Sequence, residues 1–201
     1  MPGKGDASST ATPSPPAPGS TGMDKGMGTG ASSKGGQSTN ATGAGAASIS
    51  AGDRKFVQDA ADGSRAEVIT GKMAATKGGS DTVKQFGQRM ATDHQKAFDQ
   101  LSQIASGKGV AVPSEPSKAH QRDAAKLDKL SGNDFDREYA KMMVSDHKKD
   151  VAEFRKQSKS AKDADVRNFA ATTLPTLEEH LKMAQDMEAA VRKERTAKAG
   201  R

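Results

Sequence analysis

Two stretches of the sequence repeat the same local pattern around a histidine. Residues 90–101 read MATDHQKAFDQL and residues 143–154 read MVSDHKKDVAEF, so that methionine, aspartate and histidine recur at the same spacing. The chain has only four histidines, and two of them, His94 and His147, occupy this pattern. A neutral imidazole is a common ligand of transition metals, and it titrates near physiological pH. The repeat therefore predicts two duplicated helices, each of which directs a histidine inward.

One glutamate and a third histidine fall at a similar depth in their predicted helices. Glu67, His94 and His147 each lie 14 residues beyond the residue that starts their helix, and His180 lies 17 residues beyond its own. At about 1.5 Å of rise per residue, each side chain lies roughly 20 Å along its helix. Helices of similar length that pack side by side would bring all four to one level. One carboxylate and three imidazoles form a possible site for a transition metal.

The same four residues allow other interpretations. A histidine that faces a core is often a structural residue, hydrogen-bonded to a carboxylate or a carbonyl group. Asp93 and Asp146 could each bond across to a neighbouring helix in this way, and Glu67 could lie on the surface. A structural polar layer is the first interpretation, a bound metal ion the second and unrelated placement the third. His120 is predicted to lie on the surface, and no residue is predicted to be catalytic or to bind an organic cofactor.

The residues that precede the histidines restrict the kind of metal site. Helical bundles with a di-iron centre use a Glu-x-x-His motif on two of their helices. The residues three positions before the three histidines are Ala91, Val144 and Leu177. A di-iron centre is therefore not expected, and a single transition metal ion is the cofactor that the sequence would accommodate.

Apolar residues recur every three or four positions in four long segments and in one short segment, which is typical of amphipathic helices. The long helices are predicted at residues 53–77, 81–106, 134–160 and 163–195, and the short one at 117–131. Strand alternation is missing from the sequence. This order indicates an all-α four-helix bundle with a short extra helix in the connection between helices 2 and 3. Pro175 lies inside the last helix and is expected to kink it.

The first quarter of the chain differs in composition from the rest. Residues 1–52 contain no Phe, Tyr, Leu or Val and consist mainly of Gly, Ser, Thr, Ala and Pro. Such a segment cannot bury enough apolar surface to offset the entropy lost on ordering it. The sequence therefore predicts a disordered leader or linker at residues 1–52 and one folded domain at residues 53–201.

The composition also limits the classes of function. Cysteine is missing, which excludes disulfides, thiol catalysis and iron–sulfur clusters. A transmembrane helix is not expected, and the N-terminus lacks the apolar core of a signal peptide. The formal net charge is +6, with a basic segment at residues 148–162. This charge predicts a solvated face or, alternatively, weak binding to anionic surfaces, whereas one Tyr and no Trp argue against specific nucleic-acid recognition.

Four segments together resemble a known bacterial family. They read FVQDAADGSRAEVITGKMA, VKQFGQRMATDHQKAFDQL, FDREYAKMMVSDHKKDVAEF and FAATTLPTLEEHLKMA, and they cover about residues 53–190. They are similar to the bacterial domain of unknown function 4142, which is placed in the ferritin-like superfamily. The resemblance implies a ferritin-like four-helix bundle in an exported, periplasmic or envelope protein, and it implies no established activity. The family positions shared here are Glu67, Asp93, His94, Phe135, Asp136, Tyr139, His147, Pro175 and His180.

These observations support three hypotheses about function. The first is a non-catalytic bacterial ferritin-like bundle of the cell envelope, with a role in stress or in metal handling. The second is a metal-binding protein or metal-dependent enzyme that uses Glu67, His94, His147 and His180. The third is a basic module that binds anionic lipid or polymer. The resemblance implies the periplasm or envelope, and a chain that starts at Met1 would instead be cytoplasmic.

Overall fold

A computed structural model describes residues 49–199, which form five α-helices and no β-strand. The helices are α1 (Ala51–Lys77), α2 (Asp81–Gly107), α3 (Lys118–Asp128), α4 (Gly132–Ser160) and α5 (Ala164–Ala199). The predicted all-α class is therefore confirmed for this part of the chain. Every predicted helix agrees with an observed one to within four residues at both ends, and the short α3 lies in the connection between α2 and α4.

The folded domain begins earlier than the sequence predicts. Residues 1–48 of the predicted leader lie outside the described part of the chain. Ile49, however, is only 6% exposed and packs in an apolar cluster. The Ser50 hydroxyl caps α1 by accepting a hydrogen bond from the Asp53 backbone N–H at 3.1 Å. Residues 49–52 therefore belong to the helical domain, and Ser50 rather than Asp53 is the N-cap.

The long helices pack as two hairpins, α1 with α2 and α4 with α5. Three residues join the helices of each hairpin, 78–80 in the first and 161–163 in the second. Across the hairpins, α2 packs against α5 and α1 against α4, while the short α3 lies against α1 and α4. Because the connections are so short, each turn fixes which residues of its two helices lie side by side.

Each hairpin turn is held by a carboxylate from the other hairpin. Asp136 of α4 accepts hydrogen bonds from the backbone N–H groups of Gly79 at 2.8 Å and Ser80 at 2.9 Å. Asp53 of α1 accepts hydrogen bonds from the N–H of Asp163 at 2.8 Å and from that of the preceding residue at 3.1 Å. Backbone N–H groups at the start of a helix favour a negative charge. These reciprocal contacts set the level of one hairpin relative to the other.

The reciprocal contacts reveal an internal repeat of whole hairpins. Asp53 and Asp136, which make equivalent contacts, are 83 residues apart in the sequence. The same offset relates other identical or similar residues, namely Phe56 and Tyr139, Glu67 and Asp150, Val83 and Val166, and Phe86 and Phe169. The structure thus favours a repeat of α1–α2 as α4–α5 over the predicted duplication of α2 as α4, because α2 is the second helix of its hairpin and α4 the first.

Two apolar clusters fill the interior at different levels along the helices. The first includes Phe56, Leu101 and Phe154, and it lies towards the turn between α4 and α5. The second includes Met90 and Met143, which are both fully buried, and it lies towards the turn between α1 and α2. The predicted inward faces of α2 and α4 are therefore observed. A level of polar side chains separates the two clusters.

Two glycines allow the backbones of α1 and α2 to touch next to this polar level. A Cβ atom added to Gly71 would lie 2.6 Å from the carbonyl oxygen of Gly87, and one added to Gly87 would lie 2.6 Å from that of Gly71. Any side chain at either position would push the two helices apart. Gly71 lies one turn beyond Glu67, and Gly87 lies two turns before His94. The close approach therefore sets the distance across which Glu67 and His94 meet.

Replacing Gly87 by alanine is expected to lower the free energy of unfolding by about 1–3 kcal/mol, because backbone atoms must move to admit the new methyl group. Gly63→Ala is the matched control, since a Cβ at Gly63 meets no atom within 4 Å. In a helix interior that change should be neutral or stabilising by roughly 0.5–1 kcal/mol. Urea unfolding of both variants measures the difference. Equal changes in the free energy of unfolding for the two variants would show that the packing of α1 against α2 does not require this close approach.

Candidate metal centre

The four predicted site residues come from the four long helices, and all of them are buried. Glu67 on α1 is 6% exposed, His94 on α2 is 4%, His147 on α4 is 0% and His180 on α5 is 1%. They lie at the level between the two apolar clusters. The structure therefore brings together the side chains for which the sequence predicts a common depth.

The three histidine rings form a compact triangle. Their ring centroids are 5.5 Å apart for His94 and His147, 5.5 Å for His94 and His180, and 5.4 Å for His147 and His180. One ring nitrogen from each histidine lies within 4.8 Å of the other two. Glu67 lies beside this triangle, with Oε2 2.9 Å from Nδ1 of His94 and Oε1 3.4 Å from Nδ1 of His147.

A chain of polar contacts that runs to the surface holds His180. Its Nε2 lies 3.0 Å from Oδ2 of Asp93, to which Arg89 also donates at 3.3 Å. Arg89 in turn makes a bidentate pair with Glu179 at 2.8 and 3.1 Å. Burial opposes ionisation of Asp93, but the hydrogen bonds from His180 and Arg89 hold the pKa of its carboxyl below its ordinary value. An ionised Asp93 fixes the proton of His180 on Nε2 and leaves a lone pair on Nδ1.

The helix on which His147 lies also orients its ring. Nδ1 of His147 lies 3.1 Å from the carbonyl oxygen of Met143, which can only accept, so Nδ1 carries the proton and Nε2 the lone pair.

The predicted contact of Asp146 with a neighbouring helix is not observed. Asp146 instead accepts a hydrogen bond from Lys149 on its own helix at 3.0 Å. Of the two predicted aspartates, only Asp93 reaches across to a histidine.

Each histidine ring of the triangle keeps a nitrogen that has no hydrogen-bond partner among residues 49–199. These atoms are Nε2 of His147, Nδ1 of His180 and both nitrogens of His94, whose Nδ1 makes no aligned hydrogen bond with the Glu67 oxygen 2.9 Å away. Oε1 of Glu67 also lacks an aligned donor, despite its 3.4 Å distance from His147. A buried polar atom without a partner costs about 1–3 kcal/mol. Several lone pairs at one place are the donor set that a cation needs.

Burial keeps the histidines neutral. It lowers the pKa of His94 and of His180 to about 4. It also lowers the pKa of His147, which the nearby rings of His94 and His180 lower further. Burial likewise raises the pKa of the Glu67 carboxyl. The neutral imidazole is the form that binds a metal ion, so protonation does not compete for these nitrogens at neutral pH.

A second carboxylate, Asp150, belongs to the site, although it is not among the site residues predicted from the sequence. It lies nearly one turn beyond His147 on α4, and it lines a pocket of about 20 Å³ together with Glu67 and His94. Burial and the negative charge of Glu67 raise the pKa of Asp150 to about 7. The signal that could have identified it is the hairpin repeat, in which Asp150 is the counterpart of Glu67.

The other residues named from the sequence lie outside the histidine triangle. His120 is not a simple surface residue, because its Nδ1 lies 3.0 Å from Oδ2 of Asp62 and its ring lines a second cavity. Phe135 and Tyr139 stack with their ring centroids 5.6 Å apart in the second apolar cluster. Pro175 lies inside α5.

Ion pairs neutralise part of the predicted basic segment at residues 148–162. The pairs are Lys149–Asp146 at 3.0 Å, Arg155–Glu178 at 2.6 Å and Lys156–Glu153 at 3.3 Å. They reduce the positive potential that an anionic surface would meet. Among the described helices, none combines the length and the apolar character needed to cross a membrane.

The fold and the site define an all-helical protein in which side chains from four helices form a buried histidine and carboxylate cluster. Residues 38–187 match the family described as domain of unknown function 4142. The match covers most of the chain, so the protein belongs to this family, as its sequence motifs indicate. No curated protein and no solved structure matches the sequence.

The Asp150→Asn variant is expected to be more stable than the wild type in metal-free buffer, and more so at high pH. The folded state holds the Asp150 proton up to about pH 7, whereas the unfolded state loses it near pH 3.9 or so. The charged carboxylate therefore costs stability above pH 7, and the cost declines as the pH falls towards 4. We expect a gain of about 1–3 kcal/mol near pH 8 and less than half of that near pH 5.

Denaturant unfolding with a chelator present measures both values. Asp99→Asn, which changes an exposed carboxylate on α2, should alter the free energy of unfolding by less than about 0.5 kcal/mol at either pH. A gain for Asp150→Asn that does not depend on pH would contradict the raised pKa of the Asp150 carboxyl.

Proposed function

We propose that this protein is a ferritin-like four-helix bundle that binds a single transition metal ion through His94, His147 and His180. Glu67 lies beside the three rings, where it balances charge and can supply a fourth ligand. The observation that carries this proposal is the unpartnered nitrogen on each of three buried, neighbouring imidazoles. Three imidazoles and one carboxylate suit a borderline divalent ion such as zinc, iron or manganese.

The hydrogen bonds around the rings favour a metal over a self-contained polar layer. In such a layer, each imidazole would donate through one nitrogen and accept through the other. His147 and His180 donate to a carbonyl and to a carboxylate, but their second nitrogens have no donor within the described chain. Metal-binding histidines commonly show this arrangement, with the outer N–H held by an oxygen. A polar layer alone accounts for only half of the hydrogen-bonding capacity of His147 and His180 and, among the described residues, for none of that of His94.

Metal binding would require a small inward movement of the rings. Metal–nitrogen bonds of about 2.0–2.1 Å in a tetrahedral site separate the ligand nitrogens by roughly 3.3–3.4 Å. The three nitrogens lie within 4.8 Å of one another, so the largest closure needed is about 1.5 Å. Rotation of the side chains can supply this movement without a change in the positions of the helices.

The space around the site favours metal binding or storage over catalysis. The pocket that reaches His94 has a volume of about 20 Å³, which is enough for roughly one water molecule. An organic substrate would not fit beside the three rings. We therefore propose a non-catalytic role in metal handling.

We also propose that the protein acts in the cell envelope, which is the location that its family resemblance implies. Fractionation of the producing bacterium, followed by detection with an antibody raised against the helical domain, would test this location. Recovery with periplasmic or envelope markers is expected. Recovery only with cytoplasmic markers would contradict it.

The metal site predicts that untagged, chelator-treated protein takes up one Co²⁺ or Zn²⁺ ion per chain. The double variant His94→Gln, His147→Gln should bind more than roughly 100-fold more weakly, because it loses two of the three ring nitrogens. Saturating metal should also raise the unfolding free energy of the wild type by about 3 kcal/mol at a hundredfold excess over Kd. Titration calorimetry and the visible absorbance of Co²⁺ measure binding, and circular dichroism checks that each variant is folded.

His120→Gln serves as the control, because it removes the fourth histidine, which lies outside the triangle. Its affinity should remain within about threefold of the wild type. Equal metal binding by the wild type and the double variant, or none by either, would rule out the histidine site and leave a structural polar layer.

A further inference from the structure

A second cavity, of about 140 Å³, lies between α1, α3 and α4 beside Glu67. Its wall carries five carboxylates, those of Asp59, Glu67, Asp123, Asp146 and Asp150. Lys149 and His120 complete the charged and titratable lining. The side chains of Asp59 and Lys149 are 63% and 73% exposed, so the cavity reaches solvent. Its volume can hold several water molecules, and therefore a partly hydrated ion.

The charge of this acidic cavity is opposite to that of the whole chain. The protein carries a formal charge of +6, yet five carboxylates line this one space with a single lysine. Three of the carboxylates also pair with lysines at the rim, namely Asp59 with Lys55, Asp123 with Lys126 and Asp146 with Lys149. Glu67 and Asp150 at the inner end pair with no lysine among residues 49–199. A concave surface of one sign with low-dielectric walls focuses the field and raises the local concentration of counter-ions. Because α1, α3 and α4 all contribute carboxylates to this one space, the acidic cavity is where we expect a cation to collect.

Glu67 links the acidic cavity to the histidine triangle. It is 6% exposed, and its Oε1 has no aligned donor within residues 49–199. Glu67 lines both the acidic cavity and the pocket of about 20 Å³ that reaches His94, and Gly63 and Asp150 also line both spaces. The acidic cavity therefore ends at the carboxylate that contacts His94 and His147.

We propose that the acidic cavity is the entry route by which a hydrated divalent cation reaches the buried histidines. This route rests on the metal site proposed above. Asp123 and Asp146 at the outer part attract the ion, and Glu67 and Asp150 at the inner end replace water ligands before the imidazoles bind. Each step exchanges one oxygen or nitrogen donor for another, with no change in the oxidation state of the ion.

The short helix α3 forms one wall of this route, and α1 holds it in place. Asp62 of α1 accepts a hydrogen bond from the Ser117 backbone N–H at 2.6 Å, just before α3 begins. Its other oxygen lies 3.0 Å from Nδ1 of His120 on the first turn of α3. These contacts place His120 and Asp123 in the wall of the acidic cavity.

The first test changes the charge of the route without changing the histidines. We expect Asp123→Asn, Asp146→Asn protein to bind Co²⁺ about tenfold more slowly than wild type at low ionic strength in stopped-flow absorbance measurements. The difference should shrink at roughly 0.5 M salt. Asp99→Asn, Asp186→Asn, which removes two exposed carboxylates that do not line the cavity, should stay within about twofold of the wild-type rate.

The second test obstructs the route without changing its charge. A side chain at Gly63 would enter the shared wall of both spaces, where an added Cβ meets no atom within 4 Å. Gly63→Phe should slow Co²⁺ association and dissociation by similar factors of about ten, so that Kd changes less than about threefold. Ile69→Phe is the matched control, because it adds a ring to α1 at an exposed position that lines neither space, and it should leave both rates near those of the wild type.

The possible results separate the route from the metal site. Wild-type protein that takes up no Co²⁺ would overturn both. The route alone would be overturned if the histidines bind Co²⁺ but both Asp123→Asn, Asp146→Asn protein and Gly63→Phe protein load at the wild-type rate. Loss of binding in Asp123→Asn, Asp146→Asn while His94→Gln, His147→Gln still binds would place the ion in the acidic cavity and overturn both.

Discussion

Desolvation of polar side chains between two apolar clusters is the constraint on which the rest of this structure depends. Three imidazoles and the Glu67 carboxylate are each at most 6% exposed, so ionisation is disfavoured and every donor and acceptor needs a partner. Burial accordingly lowers the pKa values of the histidines and raises that of Glu67. Protein groups satisfy the outer nitrogens of His147 and His180, but not the inner ones. The unsatisfied atoms are the reason to expect a ligand at this level.

The fold maintains this polar level through contacts made far from it. Asp53 and Asp136 each hold the turn of the opposite hairpin, so the four long helices cannot slide without breaking buried hydrogen bonds. Gly71 and Gly87 bring α1 and α2 into backbone contact close to Glu67. The repeat of one hairpin as the other then places a carboxylate, Glu67 or Asp150, on the first helix of each. The two similar hairpins thus supply one carboxylate each. The histidines do not follow the repeat, because α4 contributes a histidine and α1 contributes none.

The sequence predicts those features that depend on helical periodicity. His94, His147 and His180 follow apolar residues at steps of three and four, so their common depth could be derived before the helices were placed. Features that depend on how helices dock could not be derived. Asp93 reaches His180 only because α2 packs on α5, and His120 lines a cavity only because α3 lies on α1 and α4. Ile49 and Ser50 fall in the predicted leader because the composition of their neighbours conceals one buried side chain and one helix cap.

X-ray absorption at the zinc edge, on full-length protein loaded with one equivalent of Zn²⁺, tests the central claim most directly, because it reports the ligands themselves. The histidine triangle predicts two or three imidazole nitrogens at about 2.0–2.1 Å, one or two oxygens and no sulfur. The multiple-scattering signal of imidazole should disappear in His94→Gln, His147→Gln protein. A shell made only of oxygens, or one that is the same in both proteins, would contradict a metal centre at the buried histidines.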